Sequence, residues 1–208
     1  MAELDLSEMF TALAELLETG SEDIAATGAR ALRRHANASY VGEVNILTTG
    51  AEISSLLTMP AALPCAATIA PIVDRLSWHY SGYDDGRISA DVALRMQTVE
   101  LIGADGMIYD ATCRVGLFAQ TAQTNYIIRT HSAEELFVQI AGEAEWCKGD
   151  EPYAPRHPGD RMHHQSYQPH ASRTGQSGLI AVWVWSGDLD YKKYNYVGCN
   201  AAIPENNL

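Results

Sequence analysis

The chain has 208 residues, of which 47% are hydrophobic and 19% charged, and this composition suits one globular domain with a sizeable core. Its formal net charge is −12, because 26 acidic residues outnumber 14 Lys and Arg residues. This excess of negative charge argues against binding to nucleic acid or to an anionic membrane surface, since both are recognised by clustered Lys and Arg.

The sequence carries no sign of a membrane span or of a disulfide framework. No apolar stretch approaches the roughly 18 residues that a membrane helix needs. Residues 1–6 are acidic where a signal peptide begins with basic residues, so we expect a cytoplasmic protein. The cysteines are far apart and form no CxxC pair, which favours small buried side chains over a disulfide framework or a Cys-rich zinc site. They are Cys65, Cys113, Cys147 and Cys199.

The N-terminal part of the chain is predicted to be helical. Apolar residues recur at three- and four-residue steps across residues 7–36, with Ser7 as a candidate cap and Gly28 inside the second helical run. Helical stretches are also predicted near residue 53 and at residues 69–78, between prolines that mark breaks or first turns. Residues 82–86 are typical of a loop.

From about residue 95 the hydrophobic period changes to two, which is typical of strands separated by Gly and Pro turns. We predict strands at residues 96–102, 113–118, 125–129, 135–140, 144–147 and 179–185. Helices followed by short strands indicate a mainly β protein, a barrel or sandwich with a helical N-terminal layer. No repeat or linker divides the chain. We therefore expect residues 1–208 to form a single domain, largely helical at 1–90 and a barrel at 91–200.

Five of the histidines lie between residues 131 and 170, within the β-rich half. His131 and Glu135 share parity with Arg129 and Phe137. On a continuous strand all four would point to one face, which in a closed barrel is the interior. Glu134 has the opposite parity and would face outward.

A buried His and a buried carboxylate need a partner or a metal ion. His170, on a later strand, would complete a set of two histidines and one carboxylate with His131 and Glu135. Such a set suits ferrous iron, manganese, nickel or zinc and leaves positions for water or substrate. The alternative is a surface hairpin with scattered histidines, and His35 and His79 are expected to be surface or packing residues.

The His131-xxx-Glu135 spacing, the turn at residues 158–160 and the late His170 resemble the two motifs of the cupin superfamily. A longer pattern resembles the cupin-type dimethylsulfoniopropionate (DMSP) lyases. It comprises residues 126–137, 142–146, 169–174 and 183–188. The resemblance covers about residues 95–195 and implies a cupin β-barrel, or jelly roll.

In that family a Tyr, a His-x-His pair, a Glu, a second Tyr and a later His line the site. Tyr126 matches the first of these positions, so the resemblance implies that it is the catalytic residue. His131, Glu135 and His170 match three others and are implied as ligands of one divalent metal ion, which could be zinc, iron, manganese or nickel.

Two positions depart from the family pattern. Arg129 stands where the first His of the pair would be, and Phe137 stands where the second Tyr would be. Both are expected to line the substrate pocket. Phe137 can neither bind metal nor take a proton, which leaves Tyr126 as the best base. Arg129 could hold Glu134 or Glu135, hold a substrate carboxylate, or turn outward.

The implied reaction is a β-elimination on a small molecule. A base removes a proton from the carbon next to the substrate carboxylate, dimethyl sulfide leaves and acrylate remains, while a divalent metal stabilises the negative charge as a Lewis acid. A sulfonium group would need aromatic faces. Candidates for these faces are Trp78, Tyr80, Tyr83, Trp146, Trp183 and Trp185.

Other functions remain open on the same scaffold. Arg129 and Phe137 motivate an isomerase or dioxygenase of a small carboxylate or sugar acid, or a non-catalytic metal or small-molecule binding protein. His163 or His164 could be an extra ligand or a proton shuttle, and otherwise both are loop residues. The Tyr-rich tail at residues 191–196 either closes a barrel mouth or packs on a second subunit, since cupins are often homodimers.

Overall fold

The computed structural model describes residues 3–45, 50–80 and 88–197. Helices α1 (Ser7–Glu18) and α2 (Asp23–Arg34) confirm the helical prediction for residues 7–36. The remaining helices are α3 (Gly50–Leu57), α4 (Ala66–Ile69) and α5 (Ala90–Ala93), with 3-10 turns at Val73–Arg75 and Tyr191–Lys193. No helix in the described part of the chain is long and apolar enough to cross a membrane.

Two details of the helical prediction are wrong. Ser7 is the first residue of α1 rather than its cap, and its backbone N–H donates to Asp5 Oδ1 at 2.9 Å. The helix predicted at residues 69–78 is absent, because α4 ends just before Pro71, which has no N–H to continue the hydrogen-bond ladder. The loop predicted at residues 82–86 lies outside the described residues.

All six predicted strands are present, and the longer strands follow the helices. In chain order the strands are β1 (Leu4–Asp5), β2 (Ser39–Tyr40), β3 (His79–Tyr80), β4 (Met96–Gly103), β5 (Ile108–Tyr109), β6 (Arg114–Gln120), β7 (Asn125–Thr130), β8 (Ala133–Gly142), β9 (Ala144–Lys148), β10 (Ala154–Arg156), β11 (Arg161–His164), β12 (His170–Arg173), β13 (Leu179–Gly187) and β14 (Asn195–Tyr196). The sequence did not predict the strands of two to four residues, because so few residues cannot display a period of two; they are β1, β2, β3, β5, β10, β11, β12 and β14.

The strands form two main sheets. A seven-stranded sheet has the order β11-β8-β13-β6-β4-β3, with β5 added beside β4, and a five-stranded sheet has the order β10-β9-β12-β7-β14. The pairings are antiparallel except for β4 with β5. This arrangement confirms the predicted mainly β barrel with a helical N-terminal layer.

The seven-stranded sheet is buried on both faces, and β13 displays this through its alternation. Side chains on one face join a hydrophobic cluster with α1, α2 and α3; they are Ile180, Val182 and Val184. Side chains on the other face join a second cluster, to which both sheets contribute; they are Leu179, Ala181, Trp183 and Trp185. We call the space that this second cluster fills the barrel interior.

The helical layer lies so close to the sheet that α2 needs a glycine. A Cβ at Gly28 would come within 2.7 Å of Val184 Cγ2 on β13 and 3.0 Å of Leu17 Cδ1 on α1. The glycine that weakens the helical pattern in sequence is therefore required by packing.

The cysteines agree with the prediction of small buried side chains. Cys65, Cys113 and Cys147 are buried and free, whereas Cys199 lies outside the described residues. Burial raises the pKa of the Cys65 thiol to about 11, so it stays protonated at neutral pH.

Candidate functional site

Residues 129–137 span two strands, as predicted, and the inward-facing side chains of the parity argument still meet although the chain is not one continuous strand. β7 ends at Thr130 and β8 begins at Ala133, so His131 lies in the short connection between the two sheets. Arg129, His131 and Glu135 are nevertheless all buried. His170 on β12 pairs directly with Arg129 on β7, which brings the later histidine beside them.

Three ligand atoms converge in the barrel interior. His131 Nε2 lies 3.2 Å from Glu135 Oε2, and His170 Nε2 lies 3.1 Å from the same oxygen. One ligand atom from each of the three residues lies within 4.8 Å of the others, and all three residues are buried. The cluster could therefore hold a metal ion, as the sequence predicts.

The backbone orients both imidazoles of this cluster toward Glu135. Nδ1 of His131 lies 3.0 Å from the Ala133 carbonyl oxygen, and Nδ1 of His170 lies 2.9 Å from the Gln168 carbonyl oxygen. Because a carbonyl oxygen only accepts hydrogen bonds, each Nδ1 carries the proton and each Nε2 is left to face the carboxylate.

His170 fits a metal ligand better than a hydrogen-bond donor. Its Nε2 makes no hydrogen bond within the described residues despite lying close to Glu135. Burial, followed by the charge of Arg129, lowers the pKa of His170 to about 4, so the ring is neutral at pH 7. A neutral Nε2 lone pair facing a carboxylate is unfavourable unless a cation lies between them, and this donor set is therefore suited to a divalent ion.

Glu135 is fixed from its other side by β13. Trp185 Nε1 donates to Glu135 Oε1 at 2.6 Å, and the ring of His131 lies over the indole with centroids 4.4 Å apart. Burial opposes ionisation of Glu135, but the interaction with His131 outweighs it, and the pKa of the carboxyl is held well below its usual range. Glu134, as predicted from parity, points away from the interior and pairs with His163 at 2.6 Å.

Arg129 does not turn outward, and among the described residues it forms no ion pair with Glu134 or Glu135. Its guanidinium carbon lies 3.8 Å from the centroid of the Tyr126 ring and 5.7 Å from that of Trp146. Burial opposes its charge, but the neighbouring tyrosines and Glu135 outweigh it and raise its pKa. Two of the outcomes expected for Arg129 are thus excluded, and the third, a contact with a bound carboxylate, remains.

Tyr126 lies at the centre of a tyrosine cluster that the C-terminal tail completes. Its hydroxyl lies 2.7 Å from the Tyr194 hydroxyl and 3.4 Å from the Tyr196 hydroxyl. β14, which carries Tyr196, pairs with β7 at Thr130 and Arg129. The tail therefore packs over the site of its own chain, the first of the two predicted roles, and Tyr194 stacks on His131 with ring centroids 5.2 Å apart.

His164 belongs to the site, although the sequence alone left open whether it was an extra ligand, a proton shuttle or a loop residue. It lies on β11 rather than in a loop, is buried, and stacks on His170 with ring centroids 4.2 Å apart. Burial lowers the pKa of His164 well below the usual value. It is not among the residues whose ligand atoms cluster for a metal. Four residues are too few for the sequence to have signalled that Arg161–His164 is a strand with His164 facing inward.

Aromatic rings line the rest of the interior. Phe137 contacts the rings of Phe118 and Trp146, at centroid distances of 5.7 and 4.9 Å. Trp146, Trp183 and Trp185 belong to the same interior cluster. Trp78 instead packs with the helices, Tyr80 lies on edge strand β3, and Tyr83 lies outside the described residues.

The chain is similar in sequence and in fold to known dimethylsulfoniopropionate lyases. The sequence profile of the dimethylsulfoniopropionate lyase family matches residues 50–181. The curated dimethylsulfoniopropionate lyase DddQ of Ruegeria pomeroyi is 33% identical over 108 residues, which are 52% of this chain and 54% of that protein. The chain thus aligns with about half the length of this curated relative.

Solved structures extend the likeness to nearly the whole chain. The crystal structure of DMSP lyase DddQ from Ruegeria pomeroyi matches with a TM-score of 0.65 and 25% identity, over 92% of this chain and 98% of that chain. A chain from the crystal structures of DMSP lyases RdDddP and RnDddQII matches with a TM-score of 0.70 over 92% and 97% of the two chains. Its identity is 19%, so this second likeness concerns the fold alone.

Proposed function

The chain belongs to the dimethylsulfoniopropionate lyase family, and from this premise we propose that it is a metal-dependent lyase of DMSP or a close analogue. The products would be acrylate and dimethyl sulfide. The observation that carries the proposal is the convergence of His131 Nε2 and His170 Nε2 on Glu135 Oε2 in a buried, ring-lined interior.

We assign the metal site to His131, Glu135 and His170. Two neutral imidazole nitrogens and a carboxylate suit zinc, iron, manganese or nickel alike, so the donor set does not select the metal. A divalent ion bound there supplies Lewis acidity toward negative charge that develops on the substrate. Trp185 keeps Glu135 in position for this role through its N–H.

Tyr126 is the proposed base. Its oxygen takes the proton from the carbon next to the substrate carboxylate, the electrons of that C–H bond form the new C=C bond, and the C–S electrons leave with dimethyl sulfide. Arg129 places a positive charge 3.8 Å from the Tyr126 ring centroid, where it attracts the negative charge of a tyrosinate. The Tyr194 hydroxyl, 2.7 Å away, can donate to that oxygen.

Arg129 and Phe137 are the proposed pocket residues. Phe137 offers an apolar face that confines the substrate and excludes water, and it shares this wall with Trp146. The positive charge of Arg129 favours the carboxylate end of a zwitterionic substrate and repels its sulfonium end. The substrate would therefore bind in one orientation.

The test is release of dimethyl sulfide from DMSP by protein loaded separately with zinc, manganese and ferrous iron. We expect release above a metal-stripped control. His131→Ala should return activity to that control, and Tyr126→Phe should lower turnover by about 100-fold or more without loss of bound metal. His157→Ala is the matched control, since the side chain of that histidine is 60% exposed and lies 3.8 Å from Glu143 rather than against the donor set.

A second candidate is a metal enzyme of another class, such as an isomerase or dioxygenase of a small carboxylate, or a non-catalytic binding protein. Two features favour this second candidate: Phe137 has no side-chain group that binds metal, and Arg129 carries a positive charge. Stoichiometric metal binding without release of dimethyl sulfide under any metal would contradict the lyase and leave this candidate.

We also propose that residues 1–90 and 91–200 form one folding unit. The support is a hydrophobic cluster that unites Phe10 and Leu32 of the helical layer with Val182 and Val184 of the barrel. A homodimer and a cytoplasmic location stay predictions from the sequence.

A further inference from the structure

Arg129 is a buried cation without a partner for its two terminal nitrogens. Neither Nη1 nor Nη2 makes a hydrogen bond within the described residues, and Arg129 is 1% exposed. Burying an unpaired charge is costly, and proteins normally satisfy such a group with a carboxylate or another acceptor. The described part of the barrel interior provides none at hydrogen-bond distance, so the two nitrogens are free to bind an acceptor on a small molecule.

A second unpaired donor lies beside Arg129. Trp146 Nε1 is buried and makes no hydrogen bond within the described residues, and the ring of Trp146 lies 5.7 Å from the Arg129 guanidinium carbon. Tyr126 and Trp146 both pair across β12 with Ser172, and their ring centroids lie 3.8 and 5.7 Å from the Arg129 guanidinium carbon. Guanidinium and indole groups donate and never accept, so the complementary ligand is rich in acceptors.

We propose that Arg129 and Trp146 form a carboxylate subsite that is separate from the metal donor set and does not need the metal. The planar guanidinium fork matches a carboxylate in two parallel hydrogen bonds, which a point charge cannot do. The ligand class is a small monocarboxylate of the propionate type. This choice rests on the proposed function, whereas the anion site itself rests on the unpaired donors.

The proposed subsite would fix the orientation of the bound substrate relative to Tyr126. A carboxylate held by Arg129 lies next to Tyr126, because the same guanidinium stacks on the Tyr126 ring at 3.8 Å. The carbon next to that carboxylate then faces the proposed base. Arg129, at the position where the family resemblance places a histidine, thus supplies charge to the substrate and no ligand to the metal.

The experiment measures propionate binding to metal-stripped full-length protein by calorimetry. Propionamide, which has the same shape without the charge, is the comparison ligand. We expect propionate to bind at least about 10-fold more tightly than propionamide, and Arg129→Met to weaken propionate binding by about 10-fold to 100-fold. Arg95→Met removes the same charge from an exposed side chain and should leave binding unchanged.

Thermal unfolding separates a ligand site from a structural role. Without ligand, Arg129→Met should unfold at the same or a higher temperature than the parent, because it removes a buried unpaired charge. Propionate should raise the unfolding temperature of the parent and leave that of Arg129→Met unchanged. A markedly lower unfolding temperature of Arg129→Met, with propionate stabilisation retained, would assign Arg129 to the fold and overturn the subsite.

The two experiments also distinguish failure of the carboxylate subsite from failure of the proposed lyase activity. Propionate binding that requires metal, or that survives Arg129→Met unchanged, overturns the subsite whether or not dimethyl sulfide is released. Arg129-dependent propionate binding without release of dimethyl sulfide supports the subsite and contradicts the lyase.

Discussion

Replacing Trp185 by Phe removes the N–H that orients Glu135 and keeps an aromatic ring in its place. The bond from Trp185 Nε1 to Glu135 Oε1 is 2.6 Å long and ends on a buried carboxylate. A hydrogen bond to a charged group contributes about 1.5–3 kcal/mol, and loss of a partner that orients a metal ligand weakens metal binding by about 10-fold to 100-fold. The two figures agree, since about 1.4 kcal/mol corresponds to a factor of ten.

Trp183 offers a matched control two residues away on the same strand. Its Nε1 donates to the neutral hydroxyl of Thr98 at 3.1 Å, and both tryptophans are almost fully buried, at 3% for Trp185 and 5% for Trp183. Trp→Phe leaves a cavity of similar size at either position, so the cavity contribution is similar in the two variants. The remaining difference is the bond to Glu135.

The assay is competition for zinc between the protein and a chromogenic chelator, together with urea unfolding of the metal-stripped protein. We expect Trp185→Phe to lose about 10-fold or more in zinc affinity, and Trp183→Phe to keep the parent affinity while losing stability. Equal zinc affinities for the two variants would show that the bond from Trp185 does not orient Glu135 as a metal ligand.

Two further predictions concern stability. Gly28→Leu should lower the free energy of unfolding by about 1–3 kcal/mol, because its side chain would overlap Val184, whereas Leu at exposed Ala26 should change it by less than about 0.5 kcal/mol in denaturant unfolding. Asp110→Asn tests pH dependence: burial opposes the Asp110 carboxylate, but hydrogen bonds from Thr112 and the nearby His35 and Arg34 outweigh it and lower its pKa. That contribution is present above the unfolded pKa of about 4 and is lost as the pH falls below it, so the stability difference between parent and Asp110→Asn should shrink from pH 6 to pH 3; a constant difference would contradict the assignment.

Much of the fold and the donor set could be predicted because their signals are local. The six longer strands carry a period of two over four or more residues, and α1 and α2 carry helical spacing. Glu135 points inward by the parity of β8 itself. His131 keeps its inward direction across a break in the strand because the Ala133 carbonyl oxygen holds its Nδ1.

The rest of the site depends on contacts that no local pattern encodes. His164 is buried because the short strand β11 pairs with β8, which sets His164 opposite Glu135. Tyr194 reaches Tyr126 because the chain returns over the barrel and β14 pairs with β7. His164 and Glu135 are 29 residues apart in sequence, and Tyr194 and Tyr126 are 68 residues apart. The strands that bring them together are too short to be predicted from hydrophobic periodicity.

Arg129, which departs from the family pattern, changes the net charge of the barrel interior and so affects which substrates can bind there. With a divalent ion on the donor set, His131 and His170 are neutral, Glu135 contributes one negative charge and Arg129 one positive charge, so the described groups leave an excess of about two positive charges. A histidine at position 129 would leave one charge fewer and a further donor nitrogen for the metal. Compared with a histidine, Arg129 therefore adds a positive charge that attracts an anion and removes a nitrogen that could bind the metal. The same charge repels the sulfonium of a zwitterion, which would lie at the end of the pocket away from Arg129. Under the proposed lyase function, a substrate with a carboxylate at one end and a cationic leaving group at the other would bind in this field in a single orientation, with the carbon that loses the proton next to Tyr126.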